Sequence, residues 1–382
     1  MDAAVRELAP IGTLARDRRF ATAVAVAASL VALGAARGGS SPDSWPWATA
    51  GLGLLAASTF VLVGVRWIPR SARWFGGALL ALSVWTGLSA FWSIDSSASL
   101  RELERDALYV AAFVSALGLV RFGGKAAVAA GIALGATGLA AYSLVDFTAG
   151  RGRTVFDWSV PSQPIGYANA LAALSVLGAI ASVSLAAAAG TARIRLAWLS
   201  LLVVLGPTIV LTKSVGAMLA AGVAATTALV LWARPLLRRS GLAAGALVVG
   251  ALLAAGAFAL PRNDRATYWR VAAKDFESHV AVGSGAGTYA AYWRRHPQRV
   301  YFAPLHAHSL YLETGAELGV VGLALLLVLL APPLSSLGSR DPIRLGAACG
   351  FLAFVLHAYH GDAYSRVANA YYVLFSRDPH LA

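Results

Sequence analysis

The chain has 382 residues, 58% of them hydrophobic and only 13% charged, with a mean hydropathy of +0.67. A soluble domain carries about 25% charged residues, so water cannot be the only solvent for this one. The net charge of +13 does not point to nucleic acid, because the basic residues stand in short clusters between apolar runs, as they do in cytoplasmic loops and at lipid headgroups.

Apolar runs long enough to cross about 30 Å of hydrocarbon are predicted at 20–37, 47–65, 74–92, 107–121, 126–147, 165–189, 195–212, 215–233, 241–260, 309–332, 343–360 and, more weakly, 366–377. The expected fold is an all-α polytopic membrane protein of about 12 transmembrane helices. Residues 1–382 form a single integral membrane domain in this reading. The first run follows Arg16, Arg18 and Arg19 and reads as a retained helix, since equally apolar runs come after it. With the N-terminus inside, seventeen arginines and lysines fall on inside segments and seven on short outside ones. That bias predicts a cytoplasmic N-terminus. The longest hydrophilic stretch, 261–308, between the ninth and tenth predicted spans, is then a large extracytoplasmic loop, and it carries seven basic residues of its own. A cationic surface outside the cytoplasm suits either lipid contact or an anionic ligand such as a phosphate headgroup. The one cysteine, Cys349, excludes an intrachain disulfide and a cysteine-rich metal site.

Three segments hold the candidate chemistry. The outside loop Arg151-Gly-Arg153 runs through Pro161 and Pro164 into a helix at Asn169. Residues 265–277 have helical propensity, and Gly283, Gly285 and Gly287 break it; such a turn is able to offer backbone N–H groups to an anion. It follows no strand, so a dinucleotide fingerprint is rejected. The third segment, 304–322, places His306 and His308 at the outer mouth of a helix whose first turns bear Glu313 and Glu317. Spacings of three and four put His308, Tyr311, Leu312, Gly315, Gly319 and Gly322 on one stripe, with the glycines allowing close helix packing. Intramembrane acids are functional candidates because their burial is costly. A metal held by His306 and His308 lacks an obvious third ligand.

Together these segments resemble the O-antigen ligase superfamily, which also includes O-antigen polymerases. The carriers of the resemblance are His308-Ser-Leu-Tyr-Leu with Glu317-Leu-Gly-Val-Val-Gly322, Arg265 with Trp269 and Gly283-Ser-Gly285, and Pro164-Ile-Gly-Tyr-Ala-Asn169. The resemblance covers roughly residues 80–375 and implies a GT-C-like membrane glycosyltransferase of the bacterial cell membrane. It implies a glycan donor on a polyprenyl (undecaprenyl) diphosphate, a glycan or glycolipid acceptor, and neither nucleotide nor metal cofactor. By the same resemblance His308 is the catalytic histidine and Arg265 binds the diphosphate. Arg151, Arg153, Asn169, Lys213, Arg270, His306 and Glu317 are candidate substrate contacts. The chain departs from the family at Val215, where an arginine is usual, with Lys213 as a candidate substitute; at Ser309, where asparagine is usual; and at Val280, in place of a proline. Two other readings stand beside this one. One is a carrier or flippase for polyisoprenoid-linked glycans without chemistry. The other is a shape-and-division type of peptidoglycan polymerase relying on an outer-loop acid such as Asp157, Asp264 or Asp362.

Overall fold

The computed structural model describes residues 2–37, 42–64, 68–150, 160–232, 265–298 and 303–359. Among the described residues nine helices precede the long polar stretch: α1 (Asp2–Ala35), α2 (Trp45–Val63), α3 (Arg70–Ser89), α4 (Ser96–Gly123), α5 (Lys125–Thr148), α6 (Ala168–Ala188), α7 (Ala192–Ser200), α8 (Leu202–Leu211) and α9 (Val215–Trp232). After it come α10 (Arg265–Ser278), the short α11 (Tyr289–Arg295), α12 (Leu310–Leu334) and α13 (Pro342–Tyr359). No strand occurs among the described residues. Among the described residues seven stretches are long and apolar enough to cross a membrane, from Arg16–Ala35 in α1 to Leu310–Gly338 in α12 and the turn after it, with α7 and α8 together making one of them. The protein is therefore a multi-pass membrane protein. The runs expected at 241–260 and 366–377 lie outside the described residues, as do Arg151, Arg153, Asp157, Asp264 and Asp362.

Small residues let these helices approach closely. α6, α9 and α13 share a core of Ala172, Val176, Ala217, Ala220, Ala224, Leu345, Cys349 and Ala353, the packing expected where lipid removes the hydrophobic drive between helices. The segment from α10 to the start of α12 has a core of its own, and it is aromatic: Tyr268, Tyr289, Tyr292 and Trp293 close around Ala272, Ala307 and Ala316. Tyr268 meets Trp293 edge-on at 5.5 Å between ring centroids, a contact worth about 0.5–1.5 kcal/mol beyond area burial. Because Ala316 belongs to α12, this core fastens α10 and α11 to the N-terminal end of that helix.

Two elements differ from the sequence expectation. α4 begins at Ser96 rather than near residue 107, because Asp95 caps it, accepting from the Ala98 N–H at 3.1 Å. Its first turns are polar but helix-forming, and hydropathy alone reads them as loop. α12 is not one continuous stripe. Gly319 has φ 67° and ψ −166° and breaks the helix, and His308 lies before the N-cap, Ser309, rather than on the helix. The break leaves backbone groups to be satisfied. Ser284 N–H donates to the Ala316 carbonyl at 3.1 Å, Gly285 N–H to Glu317 at 2.8 Å, and Val320 N–H to Val280 at 2.8 Å. Trp85 Nε1 donates to the Leu318 carbonyl at 3.0 Å. A Cβ on Gly319 would collide with the carbonyl of Ala281, and one on Gly283 with that of Glu317. Gly319→Ala is expected to lower stability by about 1–3 kcal/mol from backbone strain alone, with the collision adding to it; thermal unfolding of the purified protein in detergent checks this, and an unchanged midpoint would contradict the packed break.

Candidate active site

Glu317 sits one residue-pair before the break, buried, and its carboxylate faces the glycine turn. Oε2 accepts from the Gly287 N–H at 2.8 Å and Oε1 from the Tyr289 N–H at 2.9 Å. The other amides of the turn are also engaged: Gly283 N–H bonds the His279 carbonyl, and Ala286 N–H bonds Ser89 Oγ at 3.0 Å. The anion that this turn holds is thus the protein's own carboxylate. Its amides are not open to a ligand, as the sequence reading had allowed.

Asp275, fully buried on α10, secures the turn from the other side. Its carboxylate accepts from Ser284 Oγ at 2.8 Å and from His279 Nδ1 at 2.9 Å, while Ser284 Oγ also meets Thr288 Oγ1 at 2.8 Å. Burial raises the Asp275 pKa, and the bonds from Ser284 and His279 oppose it. The serine donates to the carboxylate, so this constellation is a lock and not a nucleophile.

Glu313, one turn before Glu317, holds the segment that leads into α12. His306 Nδ1 lies 2.7 Å from Glu313 Oε1, and the Ala307 N–H donates to Oε2 at 2.7 Å. The His306 side chain is about half exposed, at 52%. The Glu313 carboxylate raises the imidazole pKa to about 9; Arg105 opposes this and Glu317 assists. His306 is consequently an imidazolium at neutral pH. Two residues on, His308 has left-handed backbone, φ 57°, and its ring lies 5.7 Å from that of Tyr268. Tyr268 in turn accepts at its carbonyl from the buried Tyr289 hydroxyl at 3.0 Å. The two histidines therefore have different neighbours: an acid for His306, an aromatic wall for His308.

α4 contributes residues that sequence reasoning passed over. Glu102, Arg105 and Asp106 lie on one stripe of its N-terminal end. Arg105 pairs with Glu102, and Glu313 and Glu317 are near enough for their charges to act on it. A Cβ on Gly287 would meet the Glu102 side chain, so α4 abuts the glycine turn. The i, i+3, i+4 spacing of these three was the available signal.

The remaining candidates are dispersed. α10 starts at Arg265, inside the same outer unit. Arg270 is exposed on α10, and Lys213 is exposed in the turn between α8 and α9 with φ 53°. Asn169 is buried at the start of α6, its Nδ2 donating to the Tyr167 hydroxyl at 2.9 Å. The structure thus brings together His306, His308 and Glu317, with the start of α10 in the same unit.

The O-antigen ligase family model matches residues 170–327. Over this segment the chain is similar to the O-antigen ligase family. The match takes in α10 to the break in α12, hence both histidines, Glu313 and Glu317, and it leaves out α4. No curated protein matches the chain.

The Glu317 clamp predicts a protection pattern. In hydrogen exchange of the full-length protein, the Gly287 and Tyr289 amides should be slow. Glu317→Gln, whose amide offers one acceptor oxygen instead of two, should speed at least one of them by about tenfold or more, since an unsatisfied donor costs about 1–3 kcal/mol. Equal protection in both proteins would show that the clamp is dispensable.

Proposed function

We propose that this O-antigen ligase superfamily protein is a membrane glycosyltransferase. It moves a glycan from a polyprenyl-diphosphate donor to an acceptor hydroxyl on the extracytoplasmic side of a bacterial cell membrane, its N-terminus being cytoplasmic. His308 is the general base and Arg265 holds the diphosphate. The observation that carries the reading is the backbone of His308. A histidine at φ 57° stores about 1–3 kcal/mol of strain, and such strain gathers at functional sites where the surroundings enforce it. Here the enforcement comes from Tyr268 on one side and from Glu313, which fixes residues 306 and 307, on the other.

The electrostatics divide the work. An imidazole has the ordinary pKa for a base near neutrality, about 6.5, whereas His306 is held protonated by Glu313 and cannot accept a proton at pH 7. In the proposed reaction the acceptor oxygen bonds to the anomeric carbon. The bond from that carbon to the phosphate oxygen breaks, the hydroxyl proton goes to His308, and the diphosphate leaves on its lipid. Arginine binds such an anion bidentately without a metal. Asn169, Lys213 and Arg270, together with Arg151 and Arg153, are further candidate contacts for the substrates.

His308→Ala is expected to cut transfer by about 10²–10⁴-fold while leaving insertion and the thermal midpoint intact. The assay is product formation in detergent from a purified lipid-linked donor and acceptor. Full transfer by this variant would sink the assignment, and product formed without a bilayer argues against a pure carrier.

A further inference from the structure

Glu102, Arg105, Glu313 and His306 form a sequence of alternating charge from α4 to the mouth of α12. Arg105 is ion-paired with Glu102, Glu313 acts on Arg105 through space, and Glu313 is bonded to His306. Each carboxylate has its partner: Glu102 has Arg105, Glu313 has His306 and the Ala307 amide, and Glu317 has the amides of Gly287 and Tyr289. His306 ends the series, and its side chain is the most exposed of the four. Since Glu313 engages Nδ1, the second ring nitrogen is the one left to present a charged N–H outward. A cation held in this way, with its counter-charge fixed behind it, is suited to an oxyanion that gains charge as a bond breaks.

We infer that His306, oriented by Glu313, hydrogen-bonds the departing diphosphate of the donor and takes up its developing negative charge. The inference rests on the reading of His308 as base and deepens it: one histidine takes the proton, while the other stays protonated and receives the anion. No proton leaves His306 in the step, so the balance of the reaction is unchanged. The charged groups facing His306 are Glu313 and Glu317 from α12 and Glu102 and Arg105 from α4.

The test is the affinity of the full-length protein in nanodiscs for geranyl diphosphate between pH 7.5 and 10, a range in which phosphate groups with a last pKa near about 6 no longer titrate. Wild-type affinity should fall as pH rises through about 9, the His306 pKa. His306→Asn should bind about tenfold more weakly at pH 7.5, for the loss of one charge-assisted bond, and should lack that fall. Glu313→Gln should already be weak at pH 7.5, because the imidazole returns toward about 6.5. Arg105→Gln should move the fall to higher pH, since the guanidinium lowers the imidazole pKa. Geraniol, with the same tail and no charge, should bind all four proteins alike. The inference is overturned if His306→Asn binds geranyl diphosphate as wild type does, if it keeps the fall near pH 9, or if geraniol shows the same dependence on His306. Any of those results leaves the role of His308 standing, because that role is judged by transfer with His308→Ala.

Discussion

Backbone hydrogen bonding at the break in α12 is the constraint on which the outer structure depends. In hydrocarbon each unpaired N–H or C=O costs several kcal/mol, so a helix interrupted near the membrane must find partners for what it releases. Gly319 interrupts α12, and the released groups are met by Val280, Ser284, Gly285 and Trp85. The segment around 280–285 is therefore stitched to a membrane helix along its backbone and is not draped over it. A register change in either partner would strand several polar groups at once. This explains Gly283 and Gly319, where two backbones meet and side chains would prevent contact; a Cβ at Gly285 would instead strike Ser93, and one at Gly287 the Glu102 side chain.

The stitching has an electrostatic consequence. A glycine turn with consecutive amides is a natural anion site, but here the amides are spent on α12, on the Glu317 carboxylate, on the His279 carbonyl and on Ser89. An anionic substrate must be met by side chains instead. At the mouth of α12, His306 supplies that charge, and Glu313 does two things for it: it orients the ring and stabilises the protonated form. The sign for stability follows. Because the folded pKa lies above the unfolded value of about 6.5, the contribution of this pair is fully present below that value and is lost as pH rises through about 9. The half-exposed position of the imidazole makes that contribution small, since solvent screens such pairs.

Hydropathy and motif reading anticipated the helical bundle and the helix over 265–277, because both rest on strong local signals. Long apolar runs have only one outcome in lipid, and the helix over 265–277 ends at Ser278, close to its expected end. What failed was the treatment of polarity as a sign of loop. Glu102, Arg105 and Asp106 were placed outside the membrane helix because charged residues lower hydropathy, yet Asp95 capping and helical spacing make them its first turns. The stripe from His308 to Gly322 failed for a different reason. It assumed that α12 continues through Gly319, and no local pattern distinguishes a packing glycine from one at φ 67°. Only the opposing turn at 280–285, which is distant in sequence, decides between them.

The share taken by α3 and α4 bears on how the site is assembled. Ser89, Trp92 and Ser99 each bond the backbone of residues 282–286: Ser89 Oγ accepts from Ala286 N–H, Trp92 Nε1 donates to the Val282 carbonyl at 3.2 Å, and Ser99 Oγ donates to the Ala286 carbonyl at 2.8 Å. Ile94 N–H adds a bond to the Ser284 carbonyl at 3.0 Å. All four residues precede the segment matched by the O-antigen ligase family, 170–327. The matched segment therefore supplies the histidines and their carboxylates, while the chain before it supplies the wall against which the glycine turn is held. Since the turn grips Glu317, and Glu317 lies one helical turn from Glu313, the N-terminal end of α4 reaches the candidate site through the glycine turn and the first turns of α12. Substitutions in residues 85–105 thus bear on the geometry at His306 and His308 although none of them belongs to the matched family segment.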